Sequence, residues 1–347
     1  MTDAGSLHVS IVLPCLNEAR NIRSCLDSVV AGGFPKDQLE LLVVDGQSDD
    51  GTREIVFEFS KRYSWISLLE NVRRITPVAL NIGIRAAKGQ IIMRMDAHTI
   101  YPVDYIYGLV TWLIKSEADN VGGIAIVRPA NQTPKANAIA FALSHPWGVG
   151  NSHFRIGAAG PKWVDTVPFG CYKREVFNKI GLFNEALVRN QDDELNHRLI
   201  KHGGRILLVP QIMSFYTARE SLGQLWVMYY QYGYFKPLAA RAVGAVMTAR
   251  QLVPSTFVTC LAVTAFFAPV SPFMALSFKV IVTGYAVVAF SISFHAALFK
   301  SIRCALWLAL VFPILHMSYG LGYLRGVFDF VVLRKETSDP VTLPLSR

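Results

Sequence analysis

Beyond residue 250 the chain changes character, and the change limits what it can fold into. Ser255–Phe278 carries no charged residue. After Lys279, Val280–Phe299 has His295 as its only acidic or basic side chain. After Lys300 and Arg303, Cys304–Leu324 has only His316. Each stretch is close to the roughly 20 residues that cross a bilayer. Three apolar runs with short basic linkers predict membrane helices within 251–330. Pro269 and Pro272 leave the first run open to a re-entrant hairpin. Arg241, Arg250, Lys300 and Arg303 suit a cytoplasmic side. Three full crossings would put Arg325, Arg334 and Lys335 outside, against the positive-inside tendency, so the number of crossings stays open.

Composition agrees. Of the 347 residues, 52% are hydrophobic and 17% charged, below the roughly 25% charge of ordinary soluble domains. That excludes a disordered chain. Five cysteines without a CxxC pair exclude a disulfide scaffold and read as reduced thiols. The net charge of +9 suits anionic partners, but no recognition helix, RNP motif or zinc finger accompanies it, so nucleic acid is not expected. The start, MTDAGSLHVS, lacks the basic and apolar regions of a signal peptide. Ser221–Gly244 interleaves Trp226, Tyr229, Tyr230, Tyr232, Tyr234 and Phe235 with Lys236 and Arg241. That mixture predicts amphipathic interfacial helices over 220–250.

Before residue 219 short apolar runs alternate with amphipathic ones. Val9–Leu13, Glu40–Asp45 and Gln90–Met95 read as buried strands. Ile22, Cys25, Leu26 and Val29 share one helical face. Thr52–Tyr63 reads as a second helix. A third is capped by Thr76, with Pro77 first and Gly89 closing it. Such alternation predicts an α/β fold, a mainly parallel sheet with helices on both faces. Ligands of these sheets bind beyond the carboxyl ends of the strands. Polar clusters stand there: Pro14, Asn17 and Glu18 after the first strand, Asp45–Asp50 after the second, and Asp96–His98 after the third. Asp45 is placed to accept from a nucleobase imide, and one of Asp49 and Asp50 reads as a helix cap. Asp96 and His98 point the same way from extended chain and suit one divalent ion. Residues 129–165 read as a long functional loop. Asn190-Gln191-Asp192-Asp193-Glu194 supplies a candidate general base, or an acidic helix start.

Together VSIVLPCLNEA, LLVVDGQSDDGT, NIGIRAAKG, MRMDAHT and NQDDELNHRL, in this order over about residues 8–210, resemble the inverting family 2 glycosyltransferases of the GT-A fold. With the C-terminal apolar segments they look most similar to bacterial exopolysaccharide enzymes of the succinoglycan type. The resemblance implies a Rossmann-like GT-A catalytic domain over 1–219, interfacial helices over 220–250, a membrane region over 251–330 and a polar tail over 331–347. It implies a bacterial inner-membrane enzyme with its catalytic domain in the cytoplasm. The reaction would move a sugar, glucose by preference, from a UDP-sugar to a polyprenyl-diphosphate-linked saccharide.

The roles implied follow the motifs. Pro14, Asn17, Glu18, Asp45, Ser48 and Asp96 line the nucleotide site. Asp96 and His98 hold Mn²⁺ or Mg²⁺. His98 departs from the family's usual last Asp, which favours Mn²⁺ or puts the imidazole on phosphate. Asp192 is the catalytic base, with Gln191 replacing the usual first acid. Asp193 and Glu194 orient base or acceptor, while Arg198 and Lys236 meet phosphate. The group His145, Trp147, His153, Arg155, Lys162 and Trp163 lines the acceptor side. The alternatives are transfer directly onto a polyprenyl phosphate and an inactive sugar-nucleotide-binding scaffold. A processive synthase is disfavoured because Gln224-Leu225-Trp226 does not form the Q-x-x-R-W motif.

Overall fold

The computed structural model describes residues 7–245, 248–299 and 301–335. The expected lack of a leader at residues 1–6, the linker residue Lys300 and, of the polar tail expected over 331–347, residues 336–347 lie outside the described residues; Val331 and Val332 instead continue the last helical stretch. The chain forms two compact units. One comprises residues up to Ile126 together with His153–Tyr216, the other Val127–Ser152 with Thr217 onward. Residues 127–152, expected within a continuous domain over 1–219, fall in the second unit.

The first unit alternates strands and helices: β1 Val9–Cys15, α1 Ile22–Val30, β2 Leu39–Asp45, α2 Thr52–Arg62, β3 Ile66–Glu70, α3 Thr76–Ala86 and β4 Ile91–Arg94. Then come β5 Thr99–Ile100, α4 Tyr105–Lys115 and β6 Asn120–Arg128. Residues 129–165 are not one irregular loop, because they hold α5 Pro134–Ala142, α6 Pro146–Val149, α7 His153–Ile156 and β7 Lys162–Trp163. Next are β8 Cys171–Lys173, α8 Arg174–Ile180, α9 Gln191–Lys201 and β9 Ile206–Thr217. The sheet is nine-stranded, ordered β3-β2-β1-β4-β8-β6-β9-β5, with β7 also on β9. β3, β2, β1 and β4 are parallel. β8 is antiparallel to both β4 and β6.

Period-two alternation builds the core. Val9, Ile11 and Leu13 of β1 pack with Leu39, Leu41 and Val43 of β2 against Ile22, Leu26, Phe59 and Leu109. Val12, Leu42 and Val44 face the other way, toward Leu80, Ile84, Phe177 and Leu195. Both faces are covered, so these strands read as near-continuous apolar runs. α3 starts at Thr76 itself, with Ile75 as N-cap and Ala87 as C-cap, one residue before the expected start. Beyond Val12↔Arg94 the register of β1 with β4 ends, while β1 continues on β2 to Cys15↔Asp45. Pro14, with no N–H to donate, falls where β4 no longer pairs.

The second unit adds α10 Leu222–Val243, α11 Val253–Phe267, α12 Pro272–Phe299 and α13 Ile302–Gly326. Three helical stretches are long and apolar enough to cross a membrane: Ala249–Phe267, Pro272–Leu298 and Ile302–Val332. The breaks differ from the expected ones. The first apolar run ends at Phe267, because Pro269 and Pro272 interrupt it and Pro272 opens the next helix. Lys279 then lies inside α12 rather than in a linker.

Residues 222–243 form a single helix, and half of its residues are buried. It lies along α13 at a spacing that only glycine permits. A Cβ on Gly322 would come within 2.1 Å of the Tyr230 carbonyl oxygen, and one on Gly233 within 2.1 Å of that of Tyr319. α5 and α6 belong to the same core: Ile139 and Leu143 pack with Leu225, Leu308 and Phe312, and the Trp147 carbonyl accepts from His316 Nε2 at 2.7 Å. A side chain at the helix contact forces the pair apart, a change that costs ~1–3 kcal/mol. Gly322→Leu therefore lowers the thermal midpoint of the detergent-purified protein. Gly284→Leu in α12, where nothing stands within 4 Å, leaves the midpoint unchanged.

Candidate active site

The carboxyl ends of β1, β2 and β4 carry loops that lock into one another. Asn17 has φ 54°, a left-handed backbone that Asn tolerates better than most residues. Its amide nitrogen donates to Asp49 Oδ1 at 2.8 Å, and its amide oxygen accepts from the Asp49 backbone at 3.0 Å. The Asn17 backbone N–H donates to Ser48 Oγ at 2.8 Å. Ser48 Oγ donates to Asp45 Oδ1 at 2.5 Å, and the Ser48 N–H donates to Oδ2 at 3.0 Å. Arg53 adds an ion pair to Asp45 Oδ2 at 3.3 Å.

Asp45 is 0% exposed, so this geometry replaces the expected base reader with a buried post for the loop. Gln47, exposed and itself at φ 58°, stands at the rim. Asp50 accepts from the Thr52 backbone at 3.1 Å and from its hydroxyl at 2.6 Å. It is therefore the acid with the capping task.

Asp96 and His98 come together as their spacing predicts, with Asp96 Oδ2 3.9 Å from His98 Nε2. Glu18 does not stand apart as a nucleotide contact. Its Oε1 lies 3.1 Å from His98 Nδ1 and its Oε2 accepts from Asn21 at 2.9 Å. A carboxylate beside Nδ1 steadies the ring, the usual outer brace of a metal-binding histidine. Tyr216, on β9, meets the His98 ring edge-on at 5.9 Å. Among the described residues no three His, Cys, Asp or Glu side chains cluster tightly enough to hold an ion by themselves. Asp96 and His98 are the two side chains here that would hold a divalent ion, if one binds.

Asp192 sits in the first turn of α9 with Asp193 and Glu194, where helix N-terminal charge favours acids. Asn190, at φ 62°, turns the chain into that helix. Arg94 links the acid to the β4 loop. Its Nη2 donates to Asp96 Oδ1 at 2.8 Å, and its Nε lies 3.4 Å from Asp192 Oδ1. Burial pushes the Asp192 carboxyl up to about 6. Arg94 pulls the other way, and the charges of Asp96 and Asp193 add to the rise. The Arg94 side chain is only 11% exposed; burial opposes its charge, but Asp192 and Asp96 outweigh burial and hold it charged.

Other expected residues have other tasks. Glu194, 3% exposed, is clasped by Arg198 through two 2.8 Å hydrogen bonds. Arg198 also donates to the carbonyls of Ile180 and Leu182. Its donors are engaged within the protein, so it braces α9 instead of meeting phosphate. Lys236 is buried on α10 of the second unit.

The expected acceptor group divides. His145 and Trp147 belong to the second unit. In the first, His153 Nε2 meets Lys162 Nζ at 2.9 Å, and the exposed Trp163 ring lies 3.7 Å from the Arg205 guanidinium. Arg155 alone among them reaches the neighbourhood of His98, through Tyr216, whose ring centre is 5.4 Å from its guanidinium. Sequence reasoning missed Arg94, Tyr216 and the buried Asn196, which accepts from Asn120 at 2.9 Å and donates to Thr166 at 2.9 Å. Arg94 had a signal: a lone cation in an apolar strand, in phase with Asp96.

The fold and this strand-end site define a glycosyltransferase catalytic unit of the GT-A type. Glycosyl transferase family 2 matches residues 10–181. The succinoglycan biosynthesis protein ExoA of Rhizobium meliloti (strain 1021) is 30% identical over 95% of this chain and 97% of its own. The chain therefore belongs to glycosyltransferase family 2. A dolichyl N-acetyl-alpha-D-glucosaminyl phosphate 3-beta-D-2,3-diacetamido-2,3-dideoxy-beta-D-glucuronosyltransferase of Methanococcus voltae is 28% identical over 67% of this chain and 74% of its own. In structure, the mannosyltransferase PcManGT of Pyrobaculum calidifontis, solved with GDP-Man and Mn²⁺, superposes with a TM-score of 0.66 at 19% identity. That match covers 94% of this chain and 88% of the other.

Asp192 also has a testable cost. A carboxyl raised in the folded protein favours its protonated form there, so folding loses stability as pH rises from the ordinary value of 3.8 through about 6. At full strength the loss is ~3 kcal/mol. The side chain keeps 28% exposure, and solvent screening trims the loss to ~1–2 kcal/mol. Asp192→Asn removes this pH dependence, so its thermal midpoint falls less between pH 4 and pH 7.5 than that of the unsubstituted protein.

Proposed function

We propose that this chain is an inverting glycosyltransferase. It transfers a hexose, glucose by preference, from a UDP-sugar to a hydroxyl of a polyprenyl-diphosphate-linked saccharide, at the cytoplasmic face of a bacterial inner membrane. The observation that carries the reading is Asp192. This acid has its pKa raised toward neutrality, and its Oδ1 accepts no hydrogen bond. Arg94 joins it to the Asp96–His98 loop. A general base works best with a pKa near the working pH. The likeness to ExoA along nearly its whole length supports an exopolysaccharide setting. The three apolar helices support a lipid-linked acceptor.

Asp192 takes the proton from the acceptor hydroxyl. The freed oxygen attacks the anomeric carbon from the face opposite the diphosphate. The bond from that carbon to the diphosphate oxygen breaks, its electron pair departs with UDP, and the sugar centre inverts once. Asp96 and His98 would hold a divalent ion, Mn²⁺ more readily than Mg²⁺ given the imidazole, and that ion supplies positive charge against the leaving diphosphate. Asn17 and Ser48 hold the loops that shape the nucleotide side, with Pro14 and Gln47 at their edge. Asp193 and Arg155 are assigned to the acceptor side.

UDP release from a panel of UDP-sugars with polyprenyl-diphosphate-linked saccharides, in Mn²⁺ or Mg²⁺, tests the reading. One donor is expected to turn over. Its kcat falls as pH drops through about 6, where Asp192 takes up its proton. Asp192→Asn is expected to lose ~10²–10⁴-fold in kcat. Glycosylation of bare polyprenyl phosphate alone would move the acceptor to the lipid phosphate. UDP binding without release under any condition would make the chain a sugar-nucleotide-binding scaffold.

A further inference from the structure

We infer that Arg94 is the positioning residue that aims Asp192 at the reacting centre, and that Phe169 is the platform holding the Arg94 guanidinium in place. The inference rests on Asp192 acting as the base.

The argument begins with cost. β4 is an apolar strand buried along its whole length, and a guanidinium at its end survives only with negative partners. Arg94 has two, from distant parts of the chain: Asp96 at 2.8 Å and Asp192 at 3.4 Å. The contacts differ in kind. With Asp96 a hydrogen bond forms. With Asp192 none does, since Arg94 Nε and Asp192 Oδ1 are both buried without a hydrogen-bond partner. Oδ1 faces the cation and is shut off from solvent, so Arg94 fixes where the carboxylate sits and leaves Oδ2 to meet the incoming proton.

The second observation concerns Phe169. Its backbone has φ 49°, the left-handed region that a bulky residue enters only when its surroundings impose it. The residue is buried, and its ring centre lies 5.5 Å from the Arg94 guanidinium carbon. The next carbonyl, of Gly170, accepts from the Arg94 backbone at 3.0 Å. The same ring meets Tyr101 edge-on at 6.1 Å, and the Tyr101 hydroxyl accepts from the Asp96 backbone at 2.8 Å. Phe169 thus touches both the cation and the residue that steadies Asp96. A strained aromatic at this point fixes the separation of the two carboxylates through the cation between them. Lysine, a point charge without the planar fork, cannot reproduce that bridge.

The experiment compares the unsubstituted protein with Arg94→Gln, Arg94→Lys, Arg94→Ala and Phe169→Leu. It measures kcat and KM with the donor and lipid-linked acceptor found above, and UDP affinity by calorimetry. Arg94→Gln and Arg94→Lys are expected to keep UDP affinity within about 3-fold while kcat falls ~10²-fold, the scale of a small misplacement of a reacting group. Phe169→Leu is expected to lose ~10-fold in kcat on the same grounds. Guanidinium at non-denaturing concentration is expected to restore part of the Arg94→Ala rate, and methylammonium none.

An undiminished kcat in Arg94→Gln overturns the inference, as does a loss confined to UDP affinity or to thermal stability. Should Arg94→Gln also fail to bind UDP, Phe169→Leu decides, and an unchanged kcat there overturns the inference as well. Absence of turnover by the unsubstituted protein with every donor overturns the transferase reading and this inference with it. Turnover with an indifferent Arg94 overturns this inference alone.

Discussion

A positive charge buried at the end of a strand cannot be left to find its own partners, and the catalytic unit is arranged around that requirement. β4 stops pairing with β1 at Arg94, so the chain beyond it is free to turn Asp96 back toward the guanidinium. α9 has to deliver its first turn to the same point. The Glu194–Arg198 clasp and the Asn196 network hold that helix by its middle, which leaves its N-terminal acids to project. Asn17, Ser48 and Asp45 perform the matching service for the β1 and β2 loops. What looks along the sequence like separate polar motifs is therefore one electrostatic problem with several supports.

The parallel half of the sheet was legible because burial on both faces writes itself as unbroken apolar runs, as in Val9–Leu13 and Glu40–Asp45. Three strands of the antiparallel half were not: β5, β7 and β8 are two or three residues long, too short for any periodicity to register. The strand-end positions of Asp96, His98 and Asp192 followed from pattern and resemblance together. The tasks of Asp45, Glu18 and Arg198 did not follow, because whether a charged group faces a ligand or a neighbour depends on contacts from far along the chain. His98 meets Glu18 across 80 residues. Arg94 was readable on physical grounds alone, since a lone arginine in phase with an aspartate in an apolar strand demands a counter-charge.

In the second unit apolar length located the three long apolar helices, yet the proline pair and not the lysine set where one helix ends and the next begins. Aromatic and basic composition suggested a surface role for residues 220–250. In the structure half of the residues of α10 are buried, and its backbone approaches α13 at glycines. Composition reports which environments a segment tolerates. Backbone clearance, visible only once two helices are side by side, decides which neighbour it takes.

The interleaved layout of the two units bears on how the protein is made. Residues 127–152 leave the first unit before it is finished, and the chain returns to complete it with His153–Tyr216. Meanwhile Trp147 awaits a partner, His316, that lies 169 residues further on. During synthesis α5 and α6 emerge long before α13 exists to cover them, so their apolar faces pass through a period without their final cover. The first unit is complete in sequence at residue 216, whereas the second is not until α13 has been translated. Biogenesis in this chain is thus gated from its C-terminal end, and a ribosome stalled before residue 302 would leave a complete catalytic unit joined to an incomplete helical one.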